Sequence, residues 1–403
     1  MAVATITKTI GSTGRNFSTM QSWEDGAPVD LTTSEKWTAG TFSGTFQQGE
    51  IVTGTGLTEG KFLDSNQSSY VTFGIVTGVS TTVTTLTGST SGATCVLSAK
   101  TDTGVIWRGE MYNDSVFTVS NTGLTVAGST ASSTTYKELT VAAGQSFIDV
   151  GSRALRYISG SGVSIEGTGS YTQTLVSTEN YFRVSRIQVK TSSTGAYGPF
   201  DFSGTGVRLE KAIFENSGNS SAFSLMDFTG EFITNVLFVR VPTGVTCVRI
   251  DGGAAVQNCM VVRPGGGSTA TGFATNYSGS TVYKNCSAFG FTTAAASSGT
   301  APTYNNCYSD VASPPTGWTG SIAFSTATFN SITSGSENYR LVSGSALLDV
   351  GTTASNASTD IFDISRPQGS AYDIGPHELV SSSVFIPKAP LFVRQAVNRS
   401  NTY

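Results

Sequence analysis

The chain has 403 residues, enough for a large core, but only 12% of them are charged, about half the ordinary fraction of ~25%. Its net charge of -4 and the lack of any Lys/Arg stripe in the sequence argue against nucleic-acid binding. No apolar run approaches the ~18 residues of a membrane-spanning helix, and the first residues lack the basic and apolar regions of a signal peptide. Apolar residues make up 38% and are spread among Gly, Ser, Thr and Asn, which predicts a folded, β-rich protein with many tight turns.

Residues 1–45 predict an edge strand followed by a capping helix. Residues 2–10 alternate apolar and polar, as an edge strand does. Ser18 and Gln21 have the spacing of a capping box. A short helix after them places three apolar residues on one face: Phe17, Met20 and Trp23. We expect this helix to cover the N-terminal end of a stack of strands, which otherwise exposes its core to water.

Residues 46–104 predict a separate small all-β module. This stretch has few large residues and contains short alternating runs, such as residues 50–53 and 82–86. It lies between residues 37–40 and 105–109, which we assign to the main fold. We therefore interpret it as an insertion.

From residue 105 the sequence predicts a solenoid of short strands, in which one phrase returns six times between about residues 181 and 310. In each copy a polar pair precedes a small or β-branched apolar residue, and the middle residues stand at 186, 211, 235, 258, 285 and 306. The intervals are 25, 24, 23, 27 and 21 residues. A period near 24 with no helical periodicity is typical of a β-solenoid, whose coils stack at ~4.8 Å.

The last residue of each phrase is predicted to face inward. Six side chains would then form a buried column: Ile187, Ala212, Val236, Cys259, Cys286 and Cys307. Three of the five cysteines stand in this column, where a thiol behaves as a small apolar group. The cysteines show no CxxC spacing and have no partnering His, so we expect reduced thiols and no metal or cofactor.

After residue 310 the period weakens, and residues 314–318 break the pattern. A set of charged residues follows: Asp349, Asp360, Arg366, Asp373 and Glu378. We interpret it as a lattice around Arg366 that closes the last coil of a fold spanning residues 105–379. Residues 380–403 then form an extended arm with no core of its own. Its large apolar residues are predicted to dock on a neighbouring chain: Phe385, Ile386, Leu391, Phe392 and Val393.

Both ends of the chain resemble known proteins. The charged set, together with Gly351 and Gly375, resembles the C-terminal coil of right-handed parallel β-helix proteins of the pectin-lyase-like superfamily. Residues 11–24 resemble the opening of β-helical virion proteins from tailed bacteriophages. The resemblance implies an all-β fold, a right-handed parallel β-helix, to which the capping helix and the inserted module are added. Neither segment is tied to a catalytic activity.

Sequence patterns for catalysis are sparse. There is no Asp-Asp pair, no Walker loop and no GxSxG elbow, and the only histidine, His377, is interpreted as a surface or capping residue. Three aspartates are too isolated to suggest a calcium site: Asp227, Asp251 and Asp310. A glycosidase-type carboxylate pair remains an alternative, drawn from residues on adjacent coils: Glu210, Glu215, Glu231 and Asp251. We predict no catalytic, metal-binding or cofactor-binding residue.

Three functions follow from these observations. The preferred hypothesis is a non-enzymatic bacteriophage structural protein, a capsid decoration or cement protein that is assembled in the host cytoplasm. Its expected partners are the major capsid protein or tail components and two further copies of itself, in a homotrimer. The alternative is a tailspike-type protein that binds or cleaves a host surface polysaccharide. A cellular adhesin or polysaccharide enzyme is disfavoured, because such proteins are exported and we find no signal peptide.

Overall fold

The structure, a computed structural model, describes residues 2–78, 82–120, 123–150, 153–168, 173–192, 198–218, 226–240, 246–265, 270–276 and 280–380. Within these ranges the protein is nearly all β, as the composition predicts. The expected N-terminal strand is β1 (Ala2–Ile10). The helix α1 (Met20–Asp25) has six residues, and the described ranges contain no helix with the length and apolarity of a membrane span. The predicted docking arm, from Phe385 to Val393, lies outside the described residues.

The inserted module is a closed barrel of six antiparallel strands. Its strands are β2 (Glu35–Ser43), β3 (Ile51–Gly54), β4 (Leu57–Ser65), β5 (Tyr70–Thr77), β6 (Thr85–Gly88) and the first part of β7 (Thr94–Met111). They pair in the order β2–β5–β4–β3–β6–β7, and β7 pairs with β2 to close the ring. Trp37, Phe62 and Phe73 belong to a barrel core that is separate from the main core. The expected start at residue 46 is too late, because the buried Trp37 already faces the barrel interior.

Beyond the barrel, β7 continues into the first of three parallel sheets. This first sheet contains β1, β7, β10 (Lys137–Val141), β13 (Arg183–Ser185), β16 (Arg208–Glu210), β19 (Phe232–Thr234), β22 (Ala255–Gln257), β25 (Val282–Lys284) and β28 (Thr303–Asn305). The second sheet contains β8 (Phe117–Val119), β11 (Ser164–Gly167), β14 (Gln188–Thr191), β17 (Ile213–Asn216), β20 (Leu237–Arg240), β23 (Met260–Val262), β26 (Ser287–Phe289), β29 (Tyr308–Ser309) and β30 (Gly320–Ser321).

The third sheet contains β9 (Leu124–Val126), β12 (Leu175–Ser177), β15 (Phe200–Phe202), β18 (Met226–Phe228), β21 (Thr246–Ile250), β24 (Thr271–Thr275) and β27 (Thr293–Ser297). From β7 onward the chain visits the three sheets in rotation, so each strand from β7 to β26 pairs in parallel with the strand three positions later. For example, β13 pairs with β16, β14 with β17 and β15 with β18. One strand from each sheet makes one repeat. A short antiparallel pair, β31 (Phe329–Ser331) and β32 (Asn338–Leu341), follows the last repeat.

The repeated sequence phrase forms the corner between the first and second sheets. Its middle residue has a left-handed backbone in all six copies, with φ between 48° and 62°. These residues, termed the corner ladder, are Arg186, Lys211, Asn235, Asn258, Asn285 and Asn306. Asn adopts this conformation more readily than most other residues, which accounts for four of the six. The next residue turns inward, and all six members of the predicted column are fully buried.

The helix α1 covers the N-terminal end of the main core. It begins after Thr19, whose side chain and that of Ser22 form a reciprocal capping box. The expected box of Ser18 with Gln21 is therefore wrong by one residue at each position. Trp23 is fully buried against Gly109, where an added Cβ would lie 2.7 Å from the indole ring.

A buried ion triad ties the helix to the sheets. The Lys137 Nζ atom lies 2.7 Å from a carboxylate oxygen of Glu24 in α1 and 3.2 Å from one of Glu179. Burial raises the pKa of Glu24, and the charge of Lys137 opposes this shift. Removing the lysine would leave two buried carboxylates without a cation, so the triad helps to fix the cap.

Residues 311–321 cover the opposite end of the core. The Trp318 ring lies 5.7 Å from that of Tyr304, which stacks on Tyr283 at 5.3 Å. The Thr319 amide donates to the Cys307 carbonyl at 2.8 Å. Residues 314–318, which break the sequence pattern, therefore end the stack with an aromatic cover.

Residues 347–379, termed the strap, run along the flank of the sheets. Strap carbonyls accept hydrogen bonds from corner-ladder amides: Asn306 to Val350, Asn285 to Thr352 and Asn235 to Thr359. In the middle of the strap, Asp363 pairs with Lys211 and Arg186. Between Val350 and Asp363 the strap thus passes the repeats in reverse order, from the last to an early one. It then turns back, since the Gly375 amide donates to the Asn285 carbonyl at 2.9 Å. The sequence predicts that the charged set closes the last coil. This prediction is wrong, because the set lies in the strap along the flank of the sheets.

The strap lies there because the second sheet has an apolar outer face. Ile213, Leu237 and Met260 point away from the main core and form a second core with strap residues. The strap contributes Leu347, Ile361, Phe362 and Ile374 to this core. Parallel sheets normally need cover on both faces, and the strap supplies it for this one.

Candidate assembly faces and a ligand-sized groove

The predicted charged set does form a connected lattice, within the strap. Arg366 Nη1 lies 2.9 Å from a carboxylate oxygen of Glu378, and both side chains are almost fully buried. Asp373 accepts the amides of Asp349 and Leu379, and Asp360 accepts that of Glu378. Burial raises the pKa of Asp373 to about 6. These groups form ion pairs and hydrogen bonds with one another and with the backbone of the strap, so we assign them a structural role.

His377 is buried inside the same region, not on the surface. It is 1% exposed and lies against Phe362, with ring centroids 6.0 Å apart. Its Nδ1 faces the amide of Leu341 and its Nε2 faces Nε of Arg340, each at 3.2 Å. Burial, followed by the charges of Arg340 and Arg366, lowers its pKa well below the ordinary value. A neutral imidazole enclosed in this way is not placed for general acid–base catalysis.

The carboxylates considered for a glycosidase do not converge. Glu210 ends β16 of the first sheet, Glu215 lies on the second sheet, and Asp251 comes directly after β21 of the third. Glu231 comes directly before β19 of the first sheet, three residues from the position opposite Glu210, and pairs with Arg208 at 2.8 Å. Asp227 and Asp251, expected to be isolated, are instead brought together by Arg249, which lies 3.0 Å from each. The described residues contain no group of three or more His, Cys, Asp or Glu arranged to hold a metal ion.

The first sheet carries a stripe of arginines on its outer face. Arg183 and Arg208 stand directly opposite each other on adjacent strands, and Arg108 lies two strands before Arg183. Arg183 lies 3.5 Å from the centre of the Tyr136 ring. These three arginines are termed the arginine ladder. Two of the three are already compensated within the chain, because Arg108 Nε lies 2.7 Å from Glu138 and Arg208 Nε lies 2.8 Å from Glu231. Arg183 has no ion pair with the described residues, although Glu138 stands opposite it on β10.

The third sheet carries acidic residues at the same levels. Asp201 and Asp227 stand opposite each other on β15 and β18 and are termed the aspartate ladder. Asp227 pairs with Arg249, whereas Asp201 has no ion pair with the described residues. Burial, and then the charge of Asp227, raises the pKa of Asp201. Each of the two outer faces thus has one charged group without an ion pair among the described residues, Arg183 on the first sheet and Asp201 on the third.

A groove with two adjoining cavities lies over the start of the second sheet. The cavities have volumes of about 360 and 270 Å³. They share Arg156, Tyr157 and Lys190, so they form one continuous depression. Glu166, Lys190 and Glu215 form its floor, in register on β11, β14 and β17. Residues 335–339, around β32, form a wall of the smaller cavity.

The groove pairs its charged groups with one another. Lys190 Nζ lies 3.1 Å from Glu215, and Arg156 Nη1 lies 3.7 Å from Glu337. The Tyr157 hydroxyl donates to Glu166 at 2.7 Å. Burial raises the pKa of Glu215 against the opposing charge of Lys190, whereas a hydrogen bond from Ser159 lowers that of Glu166. The lining therefore offers both donors and acceptors, arranged around two tyrosines.

One hydroxyl beside the groove has no partner among the described residues. Tyr339 lines the smaller cavity and is 1% exposed, yet its buried hydroxyl oxygen accepts or donates no hydrogen bond within the described part of the chain. Buried polar groups are nearly always paired, so this hydroxyl is a candidate for a hydrogen bond that the described residues do not supply. The repeats predict where Lys190 and Glu215 align, but residues 335–339 come from beyond the repeats and reach the groove only through the fold.

Comparisons with known protein families, curated protein sequences and solved structures find no match for this chain.

Proposed function

We propose that the protein is a non-enzymatic bacteriophage virion protein, a capsid decoration or cement protein built on a right-handed parallel β-helix. The rotation of the chain through three parallel sheets supports the β-helix, and the strong preference of parallel crossovers for the right-handed connection supports its hand. Both ends of the core are covered and one flank is braced by the strap, as a rigid structural element requires. The virion assignment rests on the resemblance of residues 11–24 to the opening of β-helical virion proteins.

The observation that carries an assembly function is the match between Arg183 and Asp201, which lie on different faces and have no ion pair with the described residues. These two belong to one repeat, and Arg208 and Asp227 belong to the next. Rotation about an axis parallel to the stack keeps each repeat at its own level. A neighbouring copy related in this way would place Asp201 beside Arg183, and at the next level it would bring the Arg208–Glu231 and Asp227–Arg249 pairs together. Such a contact joins two different faces, so the smallest closed ring is a trimer.

A charge-exchange cycle at one level tests this trimer. Arg183→Glu and Asp201→Arg should each reduce the trimer fraction, because each places like charges together at the interface. The combination Arg183→Glu with Asp201→Arg should restore it, since the pair is exchanged and not removed. Light scattering at low ionic strength measures the oligomeric state, and screening should weaken the trimer as salt is raised.

Arg108→Glu is the matched control. Arg108 belongs to the same ladder, but the third sheet carries Thr125 at its level, so this variant should assemble like the wild type. A monomeric wild type at low salt, or a double variant no better than the single ones, would overturn the ladder contact. Attachment to the major capsid protein through the C-terminal arm is tested separately, by truncation after Val380.

A second candidate function, favoured by the groove, is that of a tailspike-type protein that binds a host surface polysaccharide. The groove has the volume of a small-molecule site and both donors and acceptors in its lining. Its geometry supports binding more than cleavage, because Lys190 stands between Glu166 and Glu215. The other carboxylate, Glu337, is paired with Arg156.

A further inference from the structure

We infer that the groove is a site for a neutral, polyhydroxylated ligand, an oligosaccharide of at least two linked units, and that Tyr339 is its specificity-determining residue. This assignment deepens the second candidate function and does not depend on the trimer. It identifies the residues that would recognise the ligand.

The charge of the lining favours a neutral ligand. Three carboxylates, Glu166, Glu215 and Glu337, surround two cations, Arg156 and Lys190. The excess negative charge repels phosphate, sulfate and carboxylate groups. A sugar hydroxyl both donates and accepts, so adjacent hydroxyls can bond to a carboxylate and its paired cation without breaking the ion pair.

The shape of the groove favours a chain over a single unit. Two cavities meet at Arg156, Tyr157 and Lys190, so a ligand that fills both must pass over these shared residues. Val239 and Pro264 provide an apolar patch in the smaller cavity, which suits the carbon face of a sugar ring. The Tyr339 hydroxyl, which has no partner among the described residues, lies beneath this cavity and can bond to a hydroxyl of the unit bound there once the side chain turns toward it.

Tyr339→Phe separates a binding role from a structural one. The hydroxyl has no hydrogen-bond partner within the ranges that the structure describes, so its removal should leave the melting temperature unchanged or raise it. The same change should weaken oligosaccharide binding by about tenfold, the equivalent of one lost hydrogen bond. Tyr308→Phe is the matched control, because Tyr308 lies on the second sheet away from the cavity lining and should leave binding unchanged.

The probes are chitotriose, maltotriose and cellotriose as neutral ligands, and sucrose octasulfate as an anion, measured by calorimetry on the full chain. We expect at least one neutral trisaccharide to bind, with the loss confined to Tyr339→Phe, and no binding of the sulfated probe. Binding of the anion alone, of no probe, or equally by wild type and Tyr339→Phe would overturn the site. Release of shorter sugars would leave the site in place and overturn the proposed absence of catalysis.

Discussion

At the corners of the repeats, a single dihedral angle determines the residue type. Each corner needs a left-handed backbone, and Asn285 provides it with φ of 55°. Its side chain also binds the strap: Nδ2 donates to the Thr352 carbonyl at 2.7 Å, and Oδ1 accepts the Thr352 amide at 2.8 Å. Nδ2 donates as well to Oδ1 of Asn258, in the preceding repeat, at 2.9 Å. One residue therefore provides both the left-handed backbone of the corner and hydrogen bonds to the strap.

Replacing Asn285 separates these two contributions. Asn285→Gly keeps the left-handed backbone but loses three hydrogen bonds, so the free energy of unfolding should fall by about 3 kcal/mol. Asn285→Ala should lose roughly 1 kcal/mol more, because alanine is strained in this conformation. Urea unfolding measures both, with Asn258→Gly as a milder control. An alanine variant as stable as the glycine variant would show that the corner conformation is not demanding.

His377 should make stability depend on pH. Its folded pKa is lowered, so the unfolded chain takes up a proton below about pH 6.5 while the folded chain does not. The contribution of His377 is therefore fully present above pH 6.5 and is lost as the pH falls toward the folded pKa. Asp373 acts in the opposite sense, because its folded pKa is raised to about 6.

Comparison with His377→Gln isolates the histidine, since Asp373 is present in both proteins. The stability advantage of the wild type over His377→Gln should be largest above pH 7. It should shrink below pH 6.5 by up to about 1.4 kcal/mol per pH unit. Chemical unfolding at pH 7.5, 6.0 and 5.0 measures this difference. An advantage that is constant or grows in acid would mean that the buried ring is charged.

Among the elements, the six-stranded barrel is the most independent. It has its own core, and the chain enters and leaves it at adjacent positions, since the Gly104 amide donates to the Ser34 carbonyl at 2.7 Å. It also contacts the rest of the protein: Leu63 joins the main core, Asp64 pairs with Lys8 at 2.7 Å, and Lys61 Nζ donates to the carbonyls of Asp25 and Ala27.

Deleting residues 35–103 and joining Ser34 to Gly104 should leave a cooperatively folding protein. We expect a lower melting temperature, because Leu63 no longer covers the core and Lys8 loses its partner. A deletion from residue 40 to 104 is the control and should fold poorly, since it leaves half of β2 without its barrel. Circular dichroism during heating measures both, and aggregation of the first variant would show that the barrel supports the sheets.

Sequence periodicity predicts some elements well and others poorly, for physical reasons. The corner phrase is visible because left-handed Asn followed by an inward residue must recur in every repeat. The strap is not visible, because each of its contacts is made once, between residues such as Asn306 and Val350. The sequence does contain one indication that something covers the second sheet. Its strands β20 and β23 are apolar on both faces, which indicates a covered sheet.

At the scale of the whole molecule, the repeat spacing predicts the floor of the groove but not its wall. Strand register brings Glu166, Lys190 and Glu215 into line, and the repeat spacing contains that information. The unpaired hydroxyl of Tyr339 and the ion pair of Glu337 depend on how the chain folds back after its last repeat. Local sequence patterns do not encode such distant contacts, so the candidate site could not be read from the sequence.

The position of the strap has a consequence for synthesis on the ribosome. The apolar outer face of the second sheet is complete by residue 289, but Leu347, Ile361 and Ile374, which help to cover it, are translated after it. At about 5–20 residues per second, the side chains from Ile213 onward wait on the order of ten seconds for their cover. During that interval the nascent chain exposes a row of apolar strands, and any chain released early keeps it exposed. Chaperones that hold nascent chains should therefore bind this protein before residue 347 emerges and release it once the strap is in place.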